Sequence, residues 1–309
     1  LQANDVLTLR GSVGTGFRAP TPGQISSPSI QTAAFEGAPI AFGIFPPQAA
    51  ASQLFGATPL EDETSTQFTL GLALQPSDQL TVTLDYYFIA LDDRIWFSSD
   101  FDVGTEERAQ LVALGVPGAE QLTSVRFLTN DMDTETRGVD LVAQYSIDWS
   151  GGDSLLTLAV NVNETEVSNR TNRQSDPTNP DPVYFLSDGD VFQIENGDPD
   201  YRVNLTAAHR WANRISATLR GNWYGDDQFA NPSLTQTEDM SGDVYWDLDL
   251  TWDATDFFSL TMGGRNIFDA GPDRQPSFFS CCGMKAHESS VMDWQGPYYY
   301  VRGVFSWDQ

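Results

Sequence analysis

Apolar and polar residues alternate with a period of two along most of this chain. Leu80, Val82, Leu84, Tyr86 and Phe88 interleave with Thr81, Thr83, Asp85 and Tyr87. Val139, Leu141, Ala143, Tyr145 and Ile147 interleave with Asp140, Gln144, Ser146 and Asp148. The same beat runs through Leu156, Leu158, Val160 and Val162, and through Val244, Trp246, Leu248, Leu250 and Trp252 against Asp247, Asp249 and Asp253. Successive strand side chains point to opposite faces, so each run predicts a β-strand with one apolar and one polar face. About ten such strands are read, over 6–18, 64–75, 79–94, 135–149, 153–167, 200–212, 214–225, 243–254, 256–267 and 297–307. Several exceed the usual globular strand of about 5–6 residues.

The connections carry more information than the strands. Four are short, at 76–78, 150–152, Asn213 and Thr255. Between them lie long connections at 19–63, 95–134, 168–199, 226–242 and 268–296. Strict alternation of short and long marks an up-and-down barrel with tight turns on one rim and loops on the other, whereas a sandwich mixes loop lengths at both ends. The fold class is therefore all-β, an antiparallel up-and-down transmembrane β-barrel. Tyr86, Tyr87, Phe88, Trp149, Trp211, Trp223, Trp246, Trp252 and Trp307 sit near strand ends or on the apolar face, as interfacial belts do. Within the long connections, 19–60 is rich in Pro, Ala, Gly and Ser, and 168–182 reads as a polar, mobile loop. Residues 105–115 predict a short helix capped by Thr105 and ended by Gly115.

Composition adds limits. No run of 18 apolar residues is present, so no transmembrane helix is expected, which leaves a barrel open. With 16 Lys+Arg against 43 Asp+Glu, net charge -27, nucleic acid is not an expected partner. The chain starts at Leu1 without a basic or apolar leader and is read as a truncated start. Cys281 and Cys282 are adjacent and form no disulfide framework; with Met284 and His287 they place soft ligands in one loop, at no standard zinc spacing. His209 is read on the apolar side near a short turn. No nucleophile elbow, phosphate loop or dinucleotide fingerprint occurs. The expectation is a protein that is not an enzyme, with no catalytic residue, metal site or cofactor assigned. Asp247, Asp249 and Asp253 read as lining a wet lumen, and Asp226–Asp227 and Asp188–Asp190 as solvated loop carboxylates able to attract cations. Trp96, Phe97, Tyr184, Phe185, Tyr224 and Phe279, in or near the long connections, are the candidate ligand-binding aromatics.

Several motifs then resemble the TonB-dependent outer-membrane receptors. Gly14–Thr15–Gly16–Phe17–Arg18–Ala19–Pro20 is similar to that family's strand-top signature, and Glu63 to Gly71 to its following strand. Asp85–Tyr86–Tyr87 with Asp93–Arg94–Ile95, and Asn130 followed by Thr136–Arg137–Gly138–Val139–Asp140, resemble the next pair. Arg265–Asn266–Ile267–Phe268–Asp269 with Pro272 resembles the element after the penultimate strand, and Tyr298 to Trp307 the closing strand, although Asp308 and Gln309 follow the expected terminal aromatic. Gly14, Gly16, Phe17, Arg18, Pro20, Arg137, Gly138, Asn266, Phe268 and Asp269 are accordingly structural motif residues, with Arg18 and Arg137 expected to pair with acidic lumen residues.

The resemblance implies that residues 1–309 are the C-terminal portion of a plugged barrel of twenty-two strands, its last ten, with the N-terminal plug outside this sequence. It implies a receptor in the outer membrane of a Gram-negative bacterium that imports a scarce nutrient (siderophore, cobalamin or glycan) with energy from TonB. The implied partners are the TonB system through the missing N-terminal region, outer-membrane lipid and lipopolysaccharide, and a small-molecule or oligosaccharide ligand. The alternative from the residues alone is a self-contained ten-stranded barrel acting as a protease or a passive pore.

Overall fold

A computed structural model of the chain describes residues 6–35, 38–173, 183–231, 233–274 and 290–307. Phe279, Cys281, Cys282, Met284 and His287 lie outside the described residues. The elements in chain order are β1 (Leu7–Arg18), α1 (Pro22–Ser26), β2 (Ser29–Phe35), β3 (Ala38–Phe45), α2 (Ala50–Leu54), β4 (Glu63–Ser77), β5 (Leu80–Phe97), β6 (Phe101–Asp102), α3 (Thr105–Ala113), β7 (Ser124–Trp149), β8 (Gly152–Arg170) and α4 (Asp188–Asn196). They continue with β9 (Tyr201–Trp211), β10 (Ile215–Tyr224), β11 (Asp227–Ala230), β12 (Thr237–Met240), β13 (Val244–Thr255), β14 (Phe258–Arg265) and β15 (Tyr298–Phe305).

All ten expected strands form. They lie side by side in the order β1-β4-β5-β7-β8-β9-β10-β13-β14-β15, each antiparallel to its neighbours. Among the described residues the sheet does not close. Register assigns every side chain to a face. Leu72, Leu84, Leu141 and Val160 fall in one row across four strands, while Gly71, Asp85, Asp140 and Asn161 fall in the next. The first row belongs to an apolar outer face, the second to a polar inner one. His209 pairs with Ala217 and Ser154 on the outer face; its Nδ1 lies 2.7 Å from Ser154 Oγ and its ring meets Trp211 edge-on at 4.4 Å.

Aromatics bound this outer face at two levels. Trp149, Trp211, Trp252 and Phe305 are exposed near the short turns, and Phe17, Tyr201, Trp223 and Tyr299 near the long connections. Tyr201 and Trp211 stand at the two ends of β9. At roughly 3.3 Å per residue and a tilt of about 40°, they are separated by roughly 25 Å of depth, the height of a barrel's apolar band.

Three strands overrun the membrane. β7 has 26 residues, β8 19 and β5 18, where a spanning strand needs about 9–11. The long connections are consequently more structured than their composition suggests. β3 pairs in parallel with the start of β7, and β6 pairs antiparallel to it. The 95–134 connection shrinks to 98–123 and holds α3. Thr105 is the first helical residue, not the cap: Gly104 occupies the cap position without a side-chain bond, and the helix ends at Gly115, whose φ is +71°. The completely buried core sits here, outside the barrel wall: Phe127, Leu111, Leu122 and Val125 pack with Phe45, Val103 and Phe185. Among the described residues the largest apolar core lies where helices and extra strands cover β7, with Phe229, Ala230 and Met240 buried separately at the β11–β12 hairpin.

Leu84 lies midway along the apolar face. Leu84→Arg in the full-length protein should cost roughly 2–4 kcal/mol of folding stability in lipid vesicles, measured by urea titration. Thr83→Arg on the inner face should cost far less; equal losses would contradict the assignment of faces.

Candidate ligand-binding site

Where β1, β4, β5 and β7 leave the apolar band, their ladder is interrupted. The β5–β7 register shifts between Leu91 and Arg94 and again between Arg94 and Trp96. Bulges of this kind free backbone groups that need other partners. Glu63, 6% exposed, supplies one: its Oε1 accepts from the Ile95 N–H at 2.7 Å, and its other oxygen pairs with Arg18. Asn130 supplies three more bonds. Its side chain accepts from Glu61 N (2.9 Å) and donates to the Glu61 and Asp93 carbonyls (3.2 and 2.6 Å). Asp93, at φ +55°, donates its N–H to Asp133. Gly138 is needed because a Cβ there would stand 2.8 Å from the Val162 carbonyl oxygen, whereas at Gly16 it would meet Ser65 Oγ, a hydroxyl that can turn aside. The motif residues thus form a clamp at the strand tops.

Arg18 pairs with an inner-face carboxylate as expected. Arg137 does not. Its register partners are Phe88 and Glu164, on the outer face, and it bonds Glu164 at 2.8 Å with both side chains exposed. Asn266 closes β14: at φ +49° and 5% exposure, it takes the Ala270 N–H and donates to the Ala270 carbonyl, while its own N–H goes to Asp247. Asp269 continues that turn at φ +59°, and Phe268 is exposed. Gly14, Phe17 and Pro20 sit at the top of β1 or just beyond it, Phe17 exposed on the outer face.

Each described candidate aromatic carries an arginine over its ring. Arg94 stands 5.0 Å from the Trp96 centroid, Arg126 5.0 Å from Phe97, Arg170 4.1 Å from Tyr184, Arg173 5.4 Å from Phe185 and Arg202 4.6 Å from Tyr224. Stacking of this kind holds a guanidinium in place without a carboxylate. Phe185 is a correction to its expected role: it is buried against Phe101 and Phe127 and belongs to the loop core, facing no opening. Arg173 also pairs with the fully buried Asp131, a hydrogen-bonded contact that raises the guanidinium pKa. Burial pushes the nearby Asp100 carboxyl up, against the pull of Arg126.

The remaining candidates separate. Trp96 lines a cavity of about 490 Å³ with Arg94, Arg126 and Gln193. Tyr224 lines another, about 500 Å³, with Arg202, Tyr245, Arg265 and Tyr298. The second is the more promising site. It opens on the inner face at the loop end of β9, β10, β13, β14 and β15, since Arg202 pairs with Tyr224, Asn222 with Tyr245, and Arg265 with Tyr298 in register. Tyr224 meets Tyr245 edge-on at 6.0 Å, and the Tyr245 hydroxyl donates to the Asp293 carbonyl at 2.9 Å. Arg265 is held by Asp249 (3.1 Å) and by the Tyr300 hydroxyl (3.2 Å), and Asp249 also binds Arg220 at 2.7 Å. Arg202 has no ion-pair partner among the described residues. Asp247 and Asp293 also line this cavity, so its two arginines face two carboxylates, but the Arg202 guanidinium, stacked on Tyr224 and outside any ion pair among the described residues, is placed to meet an anionic or aromatic ligand group. Reading single aromatics in loops missed Arg202, Tyr245 and Tyr298; inward parity along the strands was the signal that could have found them.

A family model described as TonB dependent receptor-like, beta-barrel, matches residues 1–267. No curated protein matches in sequence. Solved structures share the fold. A mutant ferric enterobactin receptor from Pseudomonas aeruginosa is 14% identical, with 98% of this chain covering 38% of that one at a TM-score of 0.57. The siderophore receptor PirA from Acinetobacter baumannii is 14% identical, 98% covering 39%, at 0.57. An iron transporter from Neisseria meningitidis is 11% identical, 98% covering 38%, at 0.57. The chain spans well under half the length of these structures.

The clamp makes its own prediction. Glu63→Ala leaves the Ile95 N–H unpaired at a buried junction and should cost about 1–3 kcal/mol, seen as a lower urea midpoint and faster protease cleavage within 98–123 of the full-length protein. Glu63→Gln keeps the acceptor and should lose less. Identical losses for both would mean that the charge pair with Arg18, not the backbone bond, is what matters.

Proposed function

This chain belongs to the TonB-dependent receptor β-barrel family, and from that membership we propose that it forms the last ten strands and the associated loops of a twenty-two-stranded outer-membrane receptor. The receptor imports a scarce, bulky nutrient such as a siderophore, cobalamin or glycan, with energy delivered by TonB through a plug encoded outside this sequence. No bond of the ligand is made or broken. Outer-membrane lipid and lipopolysaccharide surround the apolar band. The observation that carries the reading is the two-faced sheet, whose loop end gathers stacked arginines on the inner side. The free Arg202 guanidinium over Tyr224 favours a ligand presenting a carboxylate, phosphate or catecholate, the chemistry of many siderophores; siderophore receptors are also among the proteins sharing this fold.

Cells lacking the protein should lose uptake of one labelled nutrient from a panel of ferric siderophores, corrinoids and oligosaccharides, and a protonophore should abolish the same uptake in wild-type cells. Uptake that survives the protonophore, with steady conductance in planar bilayers, would support a passive pore instead. For the transported ligand, Arg202→Ala should weaken binding about tenfold, equivalent to about 1.4 kcal/mol, and Arg202→Lys by less. An unchanged Kd in Arg202→Ala would remove this cavity from the binding surface.

A further inference from the structure

The outermost part of the β10–β13 connection is a two-stranded hairpin, β11–β12, seated beside α4 and the start of β9. Between them lies a cavity of about 470 Å³ lined by Asn196, Asp198, Asp200, Asp226, Asp227, Gln228 and Asp239. Asp198, Asp200, Asp226 and Asp239 are exposed at its edge. Asp227 is different: it is 7% exposed, and its Oδ1 is buried with no hydrogen-bond partner among the described residues. A buried carboxylate oxygen left without a donor costs free energy unless something neutralises it. No arginine answers it. The charged groups facing it are Asp198, Asp226 and Asp273, all acidic, and with burial they raise its pKa to about 6.

We propose that this cavity is a divalent-cation site of the calcium type, with Asp227 at its base and Asp198 and Asp226 at its edge, which fastens the β11–β12 hairpin to the α4–β9 segment. The donor chemistry is all oxygen, suited to a hard cation and unsuited to soft transition metals. Asn196 donates its amide nitrogen to the Phe192 carbonyl, leaving its side-chain oxygen uncommitted. One oxygen of Asp226 is taken by the Gly242 N–H, and one of Asp239 by Gln228; each carboxylate keeps a second. Among the described residues no three such groups already stand at metal-ligand spacing, so binding draws the edge carboxylates inward. Calcium tolerates such irregular, adjustable shells and magnesium does not. The empty cavity leaves this buried carboxylate oxygen without a donor, and a bound cation removes that penalty. The site is separate from the Arg202 cavity and does not depend on which nutrient is carried.

The test uses the full-length protein in detergent, stripped with chelator and titrated with calcium chloride by calorimetry at pH 7.5. The expected result is saturable binding in the range of about 0.1–1 mM, typical of extracellular sites, with protection of the β11–β12 hairpin from protease. Asp227→Asn and Asp198→Asn should each weaken this binding at least tenfold. Asp188→Asn, which alters an exposed carboxylate paired with Arg170 instead, should leave it unchanged. Absence of saturable binding, or wild-type affinity in Asp227→Asn, overturns the proposal and assigns Asp227 a proton in place of a metal.

Discussion

Backbone inside hydrocarbon can leave no amide unpaired, and the architecture of this chain follows from meeting that requirement with strands. Within the apolar band the ten-stranded ladder is nearly unbroken, and its register keeps every apolar row on one face. The four turns on the short rim are tight, each joining neighbouring strands of the ladder directly. At the β7–β8 turn, Gly152 adopts φ +153°, and a Cβ at that position would fall 2.0 Å from the Arg210 carbonyl oxygen. Only the other rim is free to elaborate.

That elaboration needs a controlled break in the ladder. The bulges at the top of β5 supply the break, and Glu63 and Asn130 take over the backbone groups it releases. β7 then continues outward as the spine on which β3, β6 and α3 assemble a small dry core. That core packs described parts of the 19–63, 95–134 and 168–199 connections together against β7.

Charge is distributed with the same logic. In a chain with 16 cations against 43 anions, several arginines are each held against a ring or a carboxylate. Asp249 gathers Arg220, Arg265 and Tyr300 on the inner wall, and Arg202 rests on Tyr224. The β11–β12 cavity is the reverse case, a buried carboxylate facing others of its own sign. Under the two proposals, one cavity would take an anionic ligand and the other a cation, and the two share no lining residue.

The strand set, its two faces and the alternation of turn lengths were legible in the sequence, because a period-two pattern is a local property and a strand expresses it wherever it pairs. Asn266 was legible as structural for the same reason, since it holds a positive-φ turn with its own side chain; Gly138 and Arg18 answer instead to the strands beside them. The reach of β7 to Ser124 was not, since residues 124–134 lack clean alternation and become a strand only by pairing with β3, β6 and β5. Nor was the pairing of Arg137 with Glu164, the burial of Phe185, or the meeting of Asp227 with Asp198 across 29 positions of chain. Those depend on which distant segment lies opposite. The alternation along a strand determines that a side chain has a face, while only tertiary pairing decides what that face meets, because burial and charge environment are set by neighbours that sequence order does not place.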